Sequence, residues 1–181
     1  MKSIKESLIE EILNENFCHL SRYEKLIIKL LETTFFDDPA STKYHGNYHG
    51  GLTAHSINVT RNLLELTKKI DLKWQNELSP FIIGLAHDVC KIGAYIADGK
   101  GGYTYNPNHP KGHGDLSVKI VKEWIDLTEE EELCIRWHMG AYDEKENWNL
   151  YNEAIHRYPN VLWTHTADMM ATHIDEVTHN E

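Results

Sequence analysis

Six side chains in this sequence have the chemistry of a metal site: His55, His87, Asp88, His113, His138 and Asp168. Neutral imidazole and carboxylate together form a nitrogen and oxygen donor set suited to borderline first-row ions such as Fe, Mn, Co, Ni or Zn. The adjacent His87 and Asp88 lie within Leu85-Ala-His-Asp-Val-Cys-Lys-Ile-Gly93, and the other members are spaced at intervals of roughly 25 to 32 residues. Each interval fits a helix plus a connection, so successive helices can each present a ligand to one central point.

Asp88 ends an almost wholly apolar stretch, and an isolated buried carboxylate is very costly unless something compensates its charge. A metal ion provides that compensation, and a carboxylate has two oxygens with which to bridge two cations. Asp88 is therefore the candidate bridge. His55, His87 and Asp168 complete one site, His113 and His138 hold a second, and each ion keeps open positions for water or substrate. The expectation is two divalent transition ions per chain. Lys91 would be repelled by such ions, so its ammonium suits an anionic substrate oxygen; the alternative is a helix-terminal lysine favoured by the macrodipole. Lys111 and Arg136 are further candidates for binding phosphate, with a surface charge as the alternative for each. Cys90 is near enough in sequence to touch the metal shell, although free cysteine is commonly just a small buried hydrophobe.

Helices must position these groups, since no stretch shows a convincing period of two. A first helix is expected over about 3–15. A second opens with the capping box of Ser21 and Glu24 and runs to about 35. A third, about 51–69, puts His55 on an apolar stripe with Leu52, Val59 and Leu63. A fourth begins with Ser79 as cap and Pro80 at its first position, and runs through to His87 and Asp88. A glycine-rich loop over 98–114 delivers His113, and Asp115 caps a fifth helix over about 116–125. The capping box of Thr128 and Glu131 opens a sixth, which ends at His138 before Gly140. The last, about 159–177, carries Asp168. This is an all-α reading: one compact domain over 1–181, a bundle of about six to eight helices, with N-terminal helices in 1–36 and a metal-binding core in 44–175.

A chain of 181 residues fits one domain with a self-sufficient core. No apolar run approaches the ~18 residues of a membrane span, and the N-terminus lacks an apolar signal-peptide core, so a cytoplasmic protein is expected. Cys18, Cys90 and Cys134 show no metal-type or disulfide spacing. A net charge of −10 opposes the basic surface of a duplex nucleic-acid binder, while bound dications would reverse the local field for a small anion.

These motifs resemble the HD-domain superfamily, named for its adjacent His and Asp. The resemblance runs from about 44 to 175. His45-Gly-Asn-Tyr-His-Gly-Gly-Leu-Thr-Ala-His55 is similar to the family's first motif, His87 and Asp88 with Lys91 and Gly93 to its central one, and Ala167 with Asp168 to its terminal one. His113 and His138 resemble the extra histidines of the binuclear subgroup. The resemblance implies a metal-dependent phosphohydrolase acting on a nucleotide or another small phosphate ester, with Asp88 and Lys91 in catalysis. It also admits a mixed-valent di-iron oxygenase acting on a small anionic substrate, because some members use the same ligand set. Loops at 37–50, 98–112 and 139–150 would read the substrate.

Overall fold

Ser21 forms a reciprocal cap: its hydroxyl accepts from the Glu24 amide at 3.3 Å, and the Glu24 carboxylate accepts from the Ser21 amide. The computed structural model describes residues 21–177, so the helix expected over 3–15 lies outside the described residues. Seven α-helices follow in this range: α1 (Arg22–Leu31), α2 (Gly51–Ile70), α3 (Ser79–Ala86), α4 (His113–Lys122), α5 (Glu129–Arg136), α6 (Trp148–Arg157) and α7 (Asn160–Met170). A π-helical turn, Ala171–Asp175, extends α7. None of the described helices is long and apolar enough to cross a membrane.

The chain is predominantly helical rather than all-α, because the glycine-rich segment folds as a ribbon. Strands β1 (Tyr95–Ala97) and β2 (Tyr103–Tyr105) pair antiparallel, with Tyr95 opposite Tyr105 and Ala97 opposite Tyr103. Three residues per strand are too few to show a sequence period.

Helix α2 lies at the centre, its buried stripe of Leu52, His55, Val59 and Leu63 facing α3 and α7. Gly84 lets α2 and α3 meet: a Cβ there would fall 2.2 Å from Thr60 Oγ1 and 2.6 Å from Thr60 Cα. A buried carboxylate ties three helices on the other side. Glu131, fully buried, takes a two-pronged ion pair from Arg22 at 2.5 and 3.0 Å and a hydrogen bond from the Ser79 hydroxyl at 2.8 Å. The same carboxylate accepts from the Thr128 amide, closing the expected capping box of α5.

Several expected boundaries move. Helix α3 ends at Ala86, so His87 occupies its C-cap and Lys91 is reached through a 3-10 turn, Val89–Lys91, rather than one turn further along an α-helix. Ser79 is inside α3, its hydroxyl drawn to Glu131 instead of capping. Helix α4 begins at His113, because Gly112 turns the chain at a φ of 107°. Asp115 is consequently in its first turn, not at its cap. Pro159 caps α7 rather than opening it. Helix α6 stands where a loop to residue 150 had been expected, inward through Tyr151, Ala154 and Ile155.

Candidate metal centre

The way the histidines are held decides what their inner nitrogens can do. His87 turns Nδ1 to the Gly84 carbonyl at 2.9 Å, and His138 turns Nδ1 to the Ile135 carbonyl at 2.7 Å. A carbonyl only accepts, so each Nδ1 carries the proton and each Nε2 is left with a lone pair. His55 Nδ1 faces Glu176 Oε1 at 2.8 Å, the carboxylate–histidine arrangement typical of metal ligands. The three Nε2 atoms point inward, where the protein places Asp88.

Five of the six residues, His55, His87, Asp88, His113 and His138, fall in metal-sized groups. His55 Nε2 and His87 Nε2 are 3.3 Å apart, and they lie 3.6 and 3.5 Å from Asp88 Oδ2. Donors bound at about 2.0–2.1 Å to one tetrahedral ion sit roughly 3.3–3.4 Å from each other, so this triangle fits an ion of zinc-like geometry. Asp168 Oδ1 lies 3.1 Å from His55 Nε2, beside this group rather than within it. The other carboxylate oxygen, Asp88 Oδ1, faces His113 Nε2 at 2.9 Å and His138 Nε2 at 3.5 Å. The ligand atoms of His55, His87 and Asp88 form one metal-sized group, and those of Asp88, His113 and His138 a second. Asp88 Oδ1 and His113 Nε2 are buried and, close as they are, neither makes a hydrogen bond of acceptable geometry. A cation satisfies both at once. The buried histidine and aspartate groups can thus hold a metal ion.

Charge inside the site is strongly perturbed. Burial opposes protonation of His55, but its bonds to Asp168 and Glu176 prevail and raise its pKa to about 9. Burial dominates at His87 and lowers its pKa to about 3, leaving a neutral ring. Burial also works against ionised Asp88, yet the Lys91 charge and the surrounding imidazoles hold it well below the ordinary carboxylate range. Lys91 Nζ lies 2.7 Å from Asp88 Oδ2, so the structure pairs with this carboxylate the lysine that was expected to meet an anionic substrate oxygen. The Cys90 thiol approaches His113 Nδ1 at 3.4 Å, but burial raises its pKa to about 12 and keeps it a thiol rather than a thiolate ligand.

The remaining candidates separate. Lys111 borders a cavity that also touches Lys91 and His113. Arg136 is engaged elsewhere: its guanidinium pairs with Asp115, lies 3.7 Å from Asp143 and stacks 4.3 Å from the Trp137 ring. Two residues were missed as members of the site. His45 packs its ring against His55 at 4.8 Å between centroids, and neither of its nitrogens has a partner. Its place in the first motif was the available signal. Glu176 had none, since the π-helical turn before it shifts the register that a helical pattern would use.

No protein-family model matches this chain, and neither does any curated protein or solved structure. The chemistry of the site therefore rests on the geometry above.

Proposed function

We propose that this protein is a metal-dependent phosphohydrolase of the HD-domain type, acting on a nucleotide or another small phosphate ester. The observation that carries the reading is the double face of Asp88, with His55 and His87 against one oxygen and His113 and His138 against the other. That arrangement supports two divalent ions sharing one carboxylate. When bound, such ions supply a hydroxide at neutral pH and neutralise phosphoryl oxygens. His55, His87 and Asp168 would hold one ion, His113 and His138 the other, and Asp88 both. The protein's own part is to fix the donors and exclude bulk water: all of them but His113 are almost fully enclosed. Lys91, paired with Asp88 Oδ2 at 2.7 Å, would turn to an anionic ester oxygen beside the reacting phosphorus once an ion took its place on that carboxylate. In the hydrolysis, a water oxygen forms a bond to phosphorus, the ester oxygen leaves with its electron pair, and a proton returns to it.

The test joins elemental analysis of anaerobically purified protein to a phosphate-release screen on nucleotides with added Mn, Co or Zn. Two ions per chain and metal-dependent phosphate release are expected. Asp88→Asn, which loses the charge and the second anionic oxygen, should abolish turnover and lower metal content, while His138→Ala should remove about one ion per chain. Unchanged metal content in both variants overturns the two-ion assignment. Bound iron with oxygen consumption and no phosphate release would turn the reading to the di-iron oxygenase that the same ligand set can serve.

A further inference from the structure

Among the described residues of the centre, His113 and Lys91 are the ones that reach solvent most. Side-chain exposure is 2 % or less at His55, His87, Asp88 and His138 and 8 % at Asp168, but 33 % at His113 and 13 % at Lys91. These two groups are the solvent-facing neighbours of Asp88. Both also form the inner wall of a cavity of about 270 Å³. Its outer wall is built from the β1–β2 ribbon and the arm that follows, through Tyr95, Tyr105, His109 and Lys111.

This wall is anchored to the centre rather than draped over it. The Asn106 amide donates to the Ala94 carbonyl at 2.8 Å, and its side chain donates to the Gly93 carbonyl at 3.1 Å. His109 Nε2 reaches the Ile92 carbonyl at 3.1 Å, just beyond the Val89–Lys91 turn. Across the ribbon Tyr95 and Tyr105 meet edge to face at 6.2 Å, and Tyr105 meets His109 at 6.2 Å. Tyr105 is nonetheless 44 % exposed, which leaves ring surface free. Lys91 and His113 adjoin the candidate ions, and the rings of Tyr95 and Tyr105 line the same cavity.

We propose that this cavity selects a phosphate monoester carrying an aromatic ring, with the phosphate towards Lys91 and His113 and the ring against Tyr105. The catalytic half of this statement rests on the phosphohydrolase reading; the binding half does not. A volume at the small end of ligand pockets suits one ring system and one phosphate rather than a polymer. Lys111, exposed at the rim, adds a second positive charge for the incoming anion. A mononucleotide has this chemistry, and so does a simple aryl phosphate.

Binding and turnover are measured separately. Calorimetry on manganese-loaded protein uses three hydrolysis-resistant probes: the phosphonate analogue of AMP, benzylphosphonate, and the phosphonate analogue of ribose 5-phosphate. At least one ring-bearing probe should bind about ten-fold or more tightly than the ribose probe, as stacking on an aromatic side chain warrants. The tighter of the two identifies a nucleotide or an aryl ester as the source of the ring. Tyr105→Ala should remove roughly ten-fold of that preference, and Tyr105→Phe should keep it. Tyr105→Leu, which retains apolar bulk without the ring, should behave like the alanine variant and covers the case in which alanine disturbs the ribbon. Metal content should be unchanged in all three. Equal binding of the three probes, no binding of any, or a preference unaltered by loss of the ring overturns the proposal. Ring preference without phosphate release from AMP or phenyl phosphate leaves the pocket standing and removes the hydrolase; phosphate release without ring preference does the reverse.

Discussion

His55 and His87 are neighbours whose protonation is pushed in opposite directions, one to about 9 and the other to about 3. Burial lowers both, so the difference comes from partners: His55 has two carboxylates, Asp168 and Glu176, where the Nδ1 of His87 has a backbone carbonyl. Glu176 is thus the positioning residue that orients His55 and raises its basicity. Glu176→Gln keeps an acceptor for Nδ1 and loses the charge, so metal affinity should fall about 10- to 100-fold in a chelator competition. A merely structural role for Glu176 would lower the melting temperature and leave the competition curve in place. The candidate donors themselves could be picked out because a donor set is written in residue type and order. Glu176 could not be, because its role arises from packing against His55 and not from any interval along the chain, whereas His45 stood in the first motif without being assigned a part.

At the scale of elements, legibility followed the locality of the cause. Both capping boxes, at Ser21 and Thr128, are four-residue patterns with an immediate physical meaning, and both formed. The end of α3 was misplaced because no glycine or proline follows the apolar run before Gly93, whereas the α-helix stops at Ala86 as the chain turns to seat His87 and Asp88. Helix α6 was overlooked because Trp148 and Leu150, both large and apolar, are exposed and blur its stripe. What holds the elements in register is less visible still. Gly84 reads as an isolated weak point in a helix, yet it is where α2, bearing His55, meets α3, which leads into His87. Gly84→Ala would drive a Cβ into the Thr60 backbone, forcing the helices apart. Overpacking of this kind costs about 1–3 kcal/mol, read by denaturant unfolding, and the same displacement should weaken metal binding. A variant with wild-type stability and wild-type metal affinity would show that the contact yields without moving the ligands.

For the molecule as a whole, the candidate donors come from α2, the end of α3, α4, the end of α5 and α7, so an unfolded chain presents no comparable site. Free energy of binding an ion there would be folding free energy. Its pH dependence follows from the two shifted histidines, taking about 6.5 for the unfolded chain. His87 is lowered to about 3, so below 6.5 the unfolded chain takes a proton that the folded one refuses, and stability is lost as pH falls towards 3. Asp88 and Asp168, held below the ordinary carboxylate range, add to the acid loss. His55 is raised to about 9, so its contribution is complete below 6.5 and is lost as pH rises through 9. In the presence of chelator the melting temperature should therefore fall on both sides of about pH 6.5. A saturating divalent ion replaces the proton on His55 and should abolish the alkaline decline. At a free ion concentration of about a thousand times Kd the gain is about 4 kcal/mol, which for a chain of this size corresponds to on the order of 10 °C. Superimposable melting curves from pH 6 to 9, with and without the ion, would show that these six side chains do not bind it in the folded state.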